Sequence, residues 1–293
     1  SNHLAHAFAI FSSQRPRPVH IALPLDVLEI PAGDDWKAKP VPARSAPAPE
    51  AVNEASELLN AARQPILLCG GGSIGASAQI LTLAERVGAA VIPTIAAKGV
   101  IPDNHPLAME ATLERVATQE FVRQADVVLA LGTELGEPDL WVNDKLVLGG
   151  DMIRVDIDPQ ILSRDYDAVV PICADAALTL DAFIETIPAK PSGSGFSSND
   201  TIAKLRKTER DALTSLETLH VSVLDALRRA IPNDGMVFSD MTQIAYTGYC
   251  FYPCFRPRTW FFPAGYGTLG FALPAAIGGK LAAPDRATAV LVG

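Results

Sequence analysis

Charge is scarce in this chain: Asp, Glu, Lys and Arg supply 19% of its 293 residues, and the balance is −9. No basic run is present to follow a phosphate backbone, so nucleic acid is excluded as an expected partner. Cysteine is scarce too. The four, Cys69, Cys173, Cys250 and Cys254, are scattered, and Cys69 and Cys173 end apolar runs, as buried small hydrophobes do. Cys250-x3-Cys254 has the spacing of half a zinc site, but no second ligand pair matches it, so no metal ligand is assigned. Such usage fits a reducing, cytoplasmic setting. The start lacks the basic n-region of a secretory signal, and Ser1-Asn2 with no methionine ahead suggests that the natural chain begins elsewhere. An unbroken apolar span is missing as well. The uncharged window between Arg258 and Lys280 is long enough by count to cross a bilayer. Five glycines and two prolines in residues 260–279 nevertheless break any spanning helix, and no membrane partner is expected.

What is present is apolar. A 48% hydrophobic content excludes the disordered and fibrous classes, and the length suggests about two domains. Residues 4–11 read as the end of a helix, and 19–27 as one short strand. One strand and half a helix form no core, so residues 1–30 look like the remnant of a preceding domain, or an arm packed on its own chain. Prolines at 31, 40, 42, 47 and 49 make 31–49 an extended linker.

Over 50–188, apolar runs of strand length (65–69, 91–92, 126–132, 152–157 and 169–173) alternate with helical patterns. Val52, Ala55, Leu58, Leu59 and Ala62 share one helical face, as do Ala78, Leu81, Ala84 and Val87 ahead of a terminating Gly88. Residues 112–124 form another helix, and Asp175 caps one that reaches about residue 187. The alternation predicts an α/β fold with a doubly wound parallel-sheet central domain. Residues 189–200, with Pro191-Ser-Gly-Ser-Gly-Phe-Ser-Ser198, read as a flexible linker. The last part, 201–293, opens with helices over 201–216 and 220–231, the second carrying Val223, Leu224, Leu227 and Ile231 on one side. Strands at 236–239 and 287–292 flank the glycine-rich stretch. Two strands do not complete a parallel sheet, so this second α/β domain is expected to be incomplete.

Three places offer chemistry. Gly70-Gly-Gly72-Ser-Ile after a strand resembles a turn whose backbone N–H groups attract phosphate at a helix start. Its spacing departs from G-x-G-x-x-G, and a plain tight turn explains the glycines as well. Asp156-Ile-Asp158-Pro at a strand end is either a holder of ribose hydroxyls or a turn opener. The third is the stretch 260–279, read as a glycine-rich loop over 265–270 and a small-residue helix from about Phe271. A chain that gives up so many side chains brings its backbone close to something, a ligand or a packed neighbour. The loop follows a strand ending Asp240-Met-Thr-Gln243, and the C-terminal end of such a strand is where open α/β sheets place ligands.

In these residues the chain resembles the thiamine-diphosphate enzymes of the acetolactate synthase and 2-oxo-acid decarboxylase type. Pro18-Val-His-Ile21 through Pro24-Leu-Asp-Val27 is similar to the close of that family's N-terminal pyrimidine-binding domain. Lys98-Gly-Val-Ile-Pro-Asp103-Asn-His105-Pro106-Leu107 and Val155-Asp-Ile-Asp158-Pro159 are similar to its central domain. Gly265-Tyr-Gly267-Thr-Leu269-Gly270 with Leu273-Pro274-Ala-Ala-Ile-Gly278 is similar to the opening of its diphosphate-binding domain. The resemblance implies thiamine diphosphate binding over Thr242, Gln243, Gly267, Thr268, Leu269 and Gly270. The Gly267 carbonyl would accept a hydrogen bond from the cofactor's 4′-amino group, Leu269 would wedge between its two rings, and Gln243 with Thr242 would reach the diphosphate. Ile244 stands where members carry His, which removes one phosphate contact. Mg²⁺ would come with a Gly-Asp-Gly run of which Gly293 is the first glycine. The glutamate that protonates the pyrimidine would belong to the N-terminal domain. The resemblance therefore implies a truncated portion with no catalytic residue of its own, inactive alone and at best a weak cofactor binder.

The implied reaction of the full-length enzyme is conversion of a small 2-oxo acid with loss of CO2, giving an aldehyde or a product ligated to a second carbonyl. Acetolactate synthases hold FAD partly through Arg-Phe-Asp-Asp-Arg. Here Gly132-Thr-Glu-Leu-Gly-Glu-Pro-Asp139 is acidic, and Glu134 and Glu137 would repel flavin phosphates. That argues against FAD, and for a decarboxylase over a true acetolactate synthase. Residues 240–248 and 265–270 look most like the 5-guanidino-2-oxopentanoate (2-ketoarginine) decarboxylase branch. Two other classes stay open: a flavin- or nucleotide-binding regulatory module without catalysis, and a structural piece whose glycine loop only permits close subunit packing. The resemblance also implies a homodimer or homotetramer, because the family's active site is shared by two subunits.

Overall fold

Each apolar run between residues 65 and 173 needs neighbours for its backbone N–H and C=O groups and cover for both faces. The computed structural model, which describes residues 2–31, 33, 37–141, 145–190, 195–198 and 200–293, supplies both. Helix α1 (Asn2–Ser13) and a single turn α2 (Leu25–Leu28) lead to α3 (Pro49–Ala61). There follow β1 (Pro65–Cys69), α4 (Ser77–Val87), β2 (Ala90–Pro93), α5 (Val116–Arg123) and β3 (Val127–Leu131). Next come α6 (Glu137–Leu140), β4 (Asp151–Asp156), α7 (Pro159–Leu162), β5 (Val170–Cys173) and α8 (Ala176–Thr186). The strands lie in the order β2-β1-β3-β4-β5, with every pair parallel. β1 and β3 are buried at every position, which is why they read as unbroken apolar runs. Helix α8 packs against both α3 and α4. Its cap is Asp175, whose Oδ1 accepts the N–H groups of Ala177 (3.0 Å) and Leu178 (3.2 Å), and α4 ends on Gly88 at φ +69°.

The second sheet follows α9 (Thr201–Asp211) and α10 (Ser215–Ala230). It comprises β6 (Met236–Ser239), β7 (Trp260–Phe261) and β8 (Thr288–Leu291), interleaved with α11 (Gln243–Phe251) and α12 (Ala272–Ala282). The order is β7-β6-β8, again all parallel. The fold is α/β, with a five-stranded sheet and a smaller three-stranded one.

Several local expectations are corrected. No strand forms over 19–27: Pro16, Pro18 and Pro24 withhold N–H donors, and neither sheet offers the segment a neighbour. The helix expected over 112–124 begins only at Val116. Its first-turn N–H at Thr118 is met by Glu209 Oε1 at 2.8 Å, 91 residues away, a partner no local pattern reveals. The helix expected to 216 stops at Asp211 because Thr214 opens a new one. Thr214 and Glu217 form a reciprocal capping box, with Glu217 N–H on Thr214 Oγ1 (3.2 Å) and Thr214 N–H on Glu217 Oε2 (2.7 Å). Ala78 and Val223 face outward, while Ile80 and Leu83 join Ala84 and Val87 inside. Cys69 is buried, but Cys173 is exposed, because β5 is an edge strand covered on alternate residues only. Two residues proved too short a strand to read at 260–261.

Of the two expected linkers, residues 32, 34–36, 191–194 and 199 lie outside the described residues. Residues 37–48 carry neither helix nor strand. Phe196 is anchored: it is buried, its ring lies 4.9 Å from that of Phe121, and its N–H donates to Gly88 O (2.8 Å). Among the described residues no helix is long and apolar enough to cross a membrane.

The end of β3 depends on close backbone contact. Gly132 sits at φ +55°, and a Cβ there would stand 2.7 Å from Gly72 Cα. Gly132→Ala is therefore expected to destabilise the first domain by at least about 2 kcal/mol. Gly75→Ala, at a position with open space around it, is expected to stay within about 0.5 kcal/mol. Urea unfolding of the two variants checks the contrast.

Candidate functional site

The C-terminal end of β6 gathers the second domain's polar groups. Asp240, 9% exposed, is fixed twice: its N–H donates to Leu291 O (2.9 Å), and its Oδ1 accepts the N–H of Ala272 (2.9 Å), the first residue of α12. Thr242 caps α11, its Oγ1 accepting the N–H of Ala245 (3.3 Å). The starts of α11 and α12 thus open at one sheet edge, where helix N-termini favour negative charge. Gln243, first in α11, is exposed, whereas Ile244 packs on the core around Val237 and Trp260. A side chain on Gly293, just past β8, would stand 3.2 Å from Thr242 Cγ2, so that glycine belongs to the same edge.

Gly267, Thr268, Leu269 and Gly270 form the loop between β7 and α12. Gly267 N–H donates to Pro263 O (2.8 Å), closing a turn. Gly267 and Gly270 lie at φ +68° and +74°, where glycine alone is unstrained. A Cβ on Gly267 would be 3.5 Å from Met241 Cε, so the loop rests on the residue preceding Thr242. That contact brings the six candidate residues to one side of the sheet. Around Gly265 and Gly270 the described residues leave open space; the backbone conformation accounts for Gly270, and packing among the described residues does not account for Gly265. Leu269 is 78% exposed. Beside the loop lies a cavity of about 620 Å³, walled by Trp260, Phe262, Tyr266 and Phe271 and, from the first domain, Ile95 and Lys98.

The glycine turn after β1 has a different job. The N–H groups of Gly70, Gly72 and Ser73 already donate to Leu131 O (2.8 Å), Gly132 O (3.1 Å) and Gly70 O (3.0 Å). Donors spent this way do not cradle phosphate, and the close approach to Gly132 explains the missing side chains. Asp156 is likewise engaged, with Asp158 N–H on Oδ1 (2.9 Å) and Arg15 Nη1 on Oδ2 (3.1 Å); burial raises its pKa. Asp158 caps α7 through Gln160 N–H. Glu134 receives Arg15 (2.8 Å), Arg17 (3.3 Å) and Arg164 (3.3 Å). Of these, Asp156 and Arg15 line a crevice of about 430 Å³ at the ends of β3 and β4.

The two domains meet through a segment with no assigned role in the motif reading. Lys98, 3% exposed, donates from Nζ to Cys250 O (3.2 Å). Asp103 clasps Cys254, its N–H on Cys254 O (3.0 Å) and its Oδ2 accepting Cys254 N–H (2.7 Å). Glu114 accepts from the Tyr249 hydroxyl and the Cys250 thiol. Asp139 Oδ1 accepts Ile95 N–H (2.9 Å). Burial pushes Asp103 and Asp139 up to about 6 each; for Asp103 the Lys98 ammonium works against the rise. The Cys254 thiol is pushed up to about 11 by burial, and Cys250 well above its ordinary value by burial and then Glu114. Both thiols are protonated side chains of the junction. Among the described residues no group of three or more His, Cys, Asp or Glu is placed to hold a metal. Lys98 opens the motif 98–107 and stands as a single charge inside the apolar run 95–101, two sequence signals; nothing marked Glu114.

Comparison with known proteins fits this geometry. Residues 52–183 match the central domain of thiamine pyrophosphate enzymes, and residues 240–293 match their C-terminal TPP binding domain. A protein named a probable 2-ketoarginine decarboxylase in Pseudomonas aeruginosa is 43% identical over 292 residues, covering 99% of this chain and 52% of that protein. The acetolactate synthase isozyme 1 large subunit of Escherichia coli is 31% identical over 291 residues, covering 97% and 51%. The chain thus spans about half the length of the curated relatives it matches. A solved structure from Mycobacterium smegmatis, named as that of a putative thiamin diphosphate-dependent enzyme, shares the fold, with TM-score 0.78 and 23% identity over 100% of this chain and 57% of that one.

The Asp103 clasp has a pH consequence. Its folded pKa of about 6 exceeds the ordinary 3.8, so between those values the folded state binds more proton than the unfolded one. Its contribution to stability is then full below about pH 4 and is lost as pH rises through 6, by up to about 3 kcal/mol. Asp103→Asn keeps the acceptor for Cys254 and removes the titration. Unfolding free energies from pH 4 to 7 should show the variant gaining on the parent as pH rises; parallel curves would contradict this.

Proposed function

Because the chain belongs to the thiamine pyrophosphate enzymes, we propose that its second domain holds thiamine diphosphate and that the full-length protein decarboxylates a 2-oxo acid. The observation that carries the reading is the shared edge of α11, α12 and the glycine loop. The start of α11 favours the diphosphate, and a loop with glycine at 265, 267 and 270 offers accessible backbone beside an aromatic-walled cavity. Gln243 and Thr242 serve the diphosphate. The Gly267 carbonyl would accept from the cofactor's 4′-amino group, and Leu269 would support its rings, with Thr268 and Gly270 shaping the loop. An aliphatic side chain 78% exposed at such a place fits a ligand-facing role. When bound, the cofactor supplies a nucleophilic carbon and an electron sink for the loss of CO2; the protein's part is to bind, orient and exclude water.

Mg²⁺ is part of this proposal, bound at the edge where Gly293 lies against Thr242. Flavin is not. The N–H groups of Gly70, Gly72 and Ser73, already spent within the chain, support a central domain without it, although three arginines offset the charge of Glu134. For the substrate we take the guanidino 2-oxo acid that the Pseudomonas relative's name carries, at 43% identity, over the acetolactate-forming reaction in the names of the 31% identical relatives. Association with a second copy is also proposed. Leu273, Ile277 and Leu281 form an exposed apolar stripe along α12, supporting a face that another chain or domain covers.

Leu269→Ala in the full-length protein is expected to lower kcat/KM for CO2 release about ten- to a hundredfold. The exposed position predicts a stability change within about 0.5 kcal/mol. Calorimetric titration with thiamine diphosphate and Mg²⁺, alongside assays on 2-ketoarginine and pyruvate, tests the reading; no Mg²⁺-dependent binding and no CO2 from either acid would refute it.

A further inference from the structure

Next to the glycine loop, between the two domains, lies a second pocket of about 210 Å³. Its walls are aromatic: Tyr246, Tyr249 and Phe262 make a contiguous cluster, with ring centroids 5.4 to 6.3 Å apart, and Trp141 stands across from them, 62% exposed. Glu137 is the one charged residue in the lining. Two further carboxylates stand near the wall, Glu114 on the Tyr249 hydroxyl and Asp139 two residues after Glu137, while the Lys98 ammonium is engaged by Cys250 O. Met241, another lining residue, is the one that packs beneath Gly267, so the pocket opens towards the proposed cofactor position.

An aromatic enclosure with a carboxylate and no basic group is suited to a cation and hostile to an anion. Planar, weakly hydrated guanidinium stacks on aromatic faces better than a compact ammonium does. We infer that this pocket is the side-chain subsite of the enzyme. In it Glu137 is the counter-charge and Tyr246 and Trp141 are the stacking planes that select 2-oxo acids ending in a guanidinium group. This rests on the decarboxylase reading above and adds the residues that set its specificity. A Glu at the start of a four-residue helix serves the helix dipole without any aromatic neighbours; here the two occur together around an open volume.

The test compares 5-guanidino-2-oxopentanoate with 2-oxopentanoate in the full-length holoenzyme. The parent should prefer the cationic acid, and Glu137→Gln should cut that preference roughly tenfold or more, through KM rather than kcat. Glu137→Asp should restore part of it, and Glu137→Lys should invert it. Equal effects on both substrates, or none, overturn the proposal. Titration with n-propylguanidinium decides the pocket separately from catalysis: saturable binding weakened by Glu137→Gln supports it, and no binding refutes it. If the parent releases no CO2 from any 2-oxo acid, the decarboxylase reading falls, whichever way that titration comes out.

Discussion

The seating of residues 98–103 on residues 250–256 is the constraint on which the rest of the molecule depends. Both the cavity beside the glycine loop and the aromatic pocket have walls from each domain, so neither exists unless that seat is kept. It is built from backbone more than from side chains. Asp103 and Cys254 exchange two hydrogen bonds, Lys98 reaches Cys250 O, and Gly99 at φ +77° lies so close to Arg256 O that a Cβ would stand 2.1 Å from it. Each such bond is worth only about 1 kcal/mol net. Leaving a buried Lys98 or Asp103 without its partner costs several times that. The register between domains is therefore set less by the strength of the contacts than by the penalty on alternatives.

Glycine serves two ends in this chain, and only one was legible from composition. Around Gly72 and Gly132 the missing side chains let two strand ends touch. Around Gly265 and Gly270 none of the described residues fills the room left open, and Gly270 is set in addition by its φ of +74°. A sequence shows that glycines cluster; it does not show what occupies the space they leave. The turn after β1 therefore kept two readings until its donors were traced to Leu131, Gly132 and Gly70.

The sheets were legible where burial is two-sided and continuous, as in β1 and β3, and so were the local punctuation marks at Asp175 and Gly88. What escaped was either very short or very distant. Trp260 and Phe261 pair with Val237 and Phe238, but two residues carry no period. Glu209, 2% exposed, takes Arg115 at 3.1 Å and the Thr118 N–H at 2.8 Å from across the domain boundary. Its sequence neighbours give it the appearance of one more polar residue on a polar helix. At the proposed site the loop and the strand end could be read from their motifs. Glu137 was weighed as an obstacle to flavin, and its aromatic surroundings depended on tertiary placement.

The arginines on Glu134 and Asp156 carry one last implication. Arg15 and Arg17 come from the segment after α1, far outside the five-stranded domain in sequence, yet they lie across the strand ends where folds of this kind keep room for a nucleotide. The chain's own first segment thus forms part of the wall of that crevice. A visiting molecule rich in phosphate would compete with resident carboxylates for these two guanidinium groups.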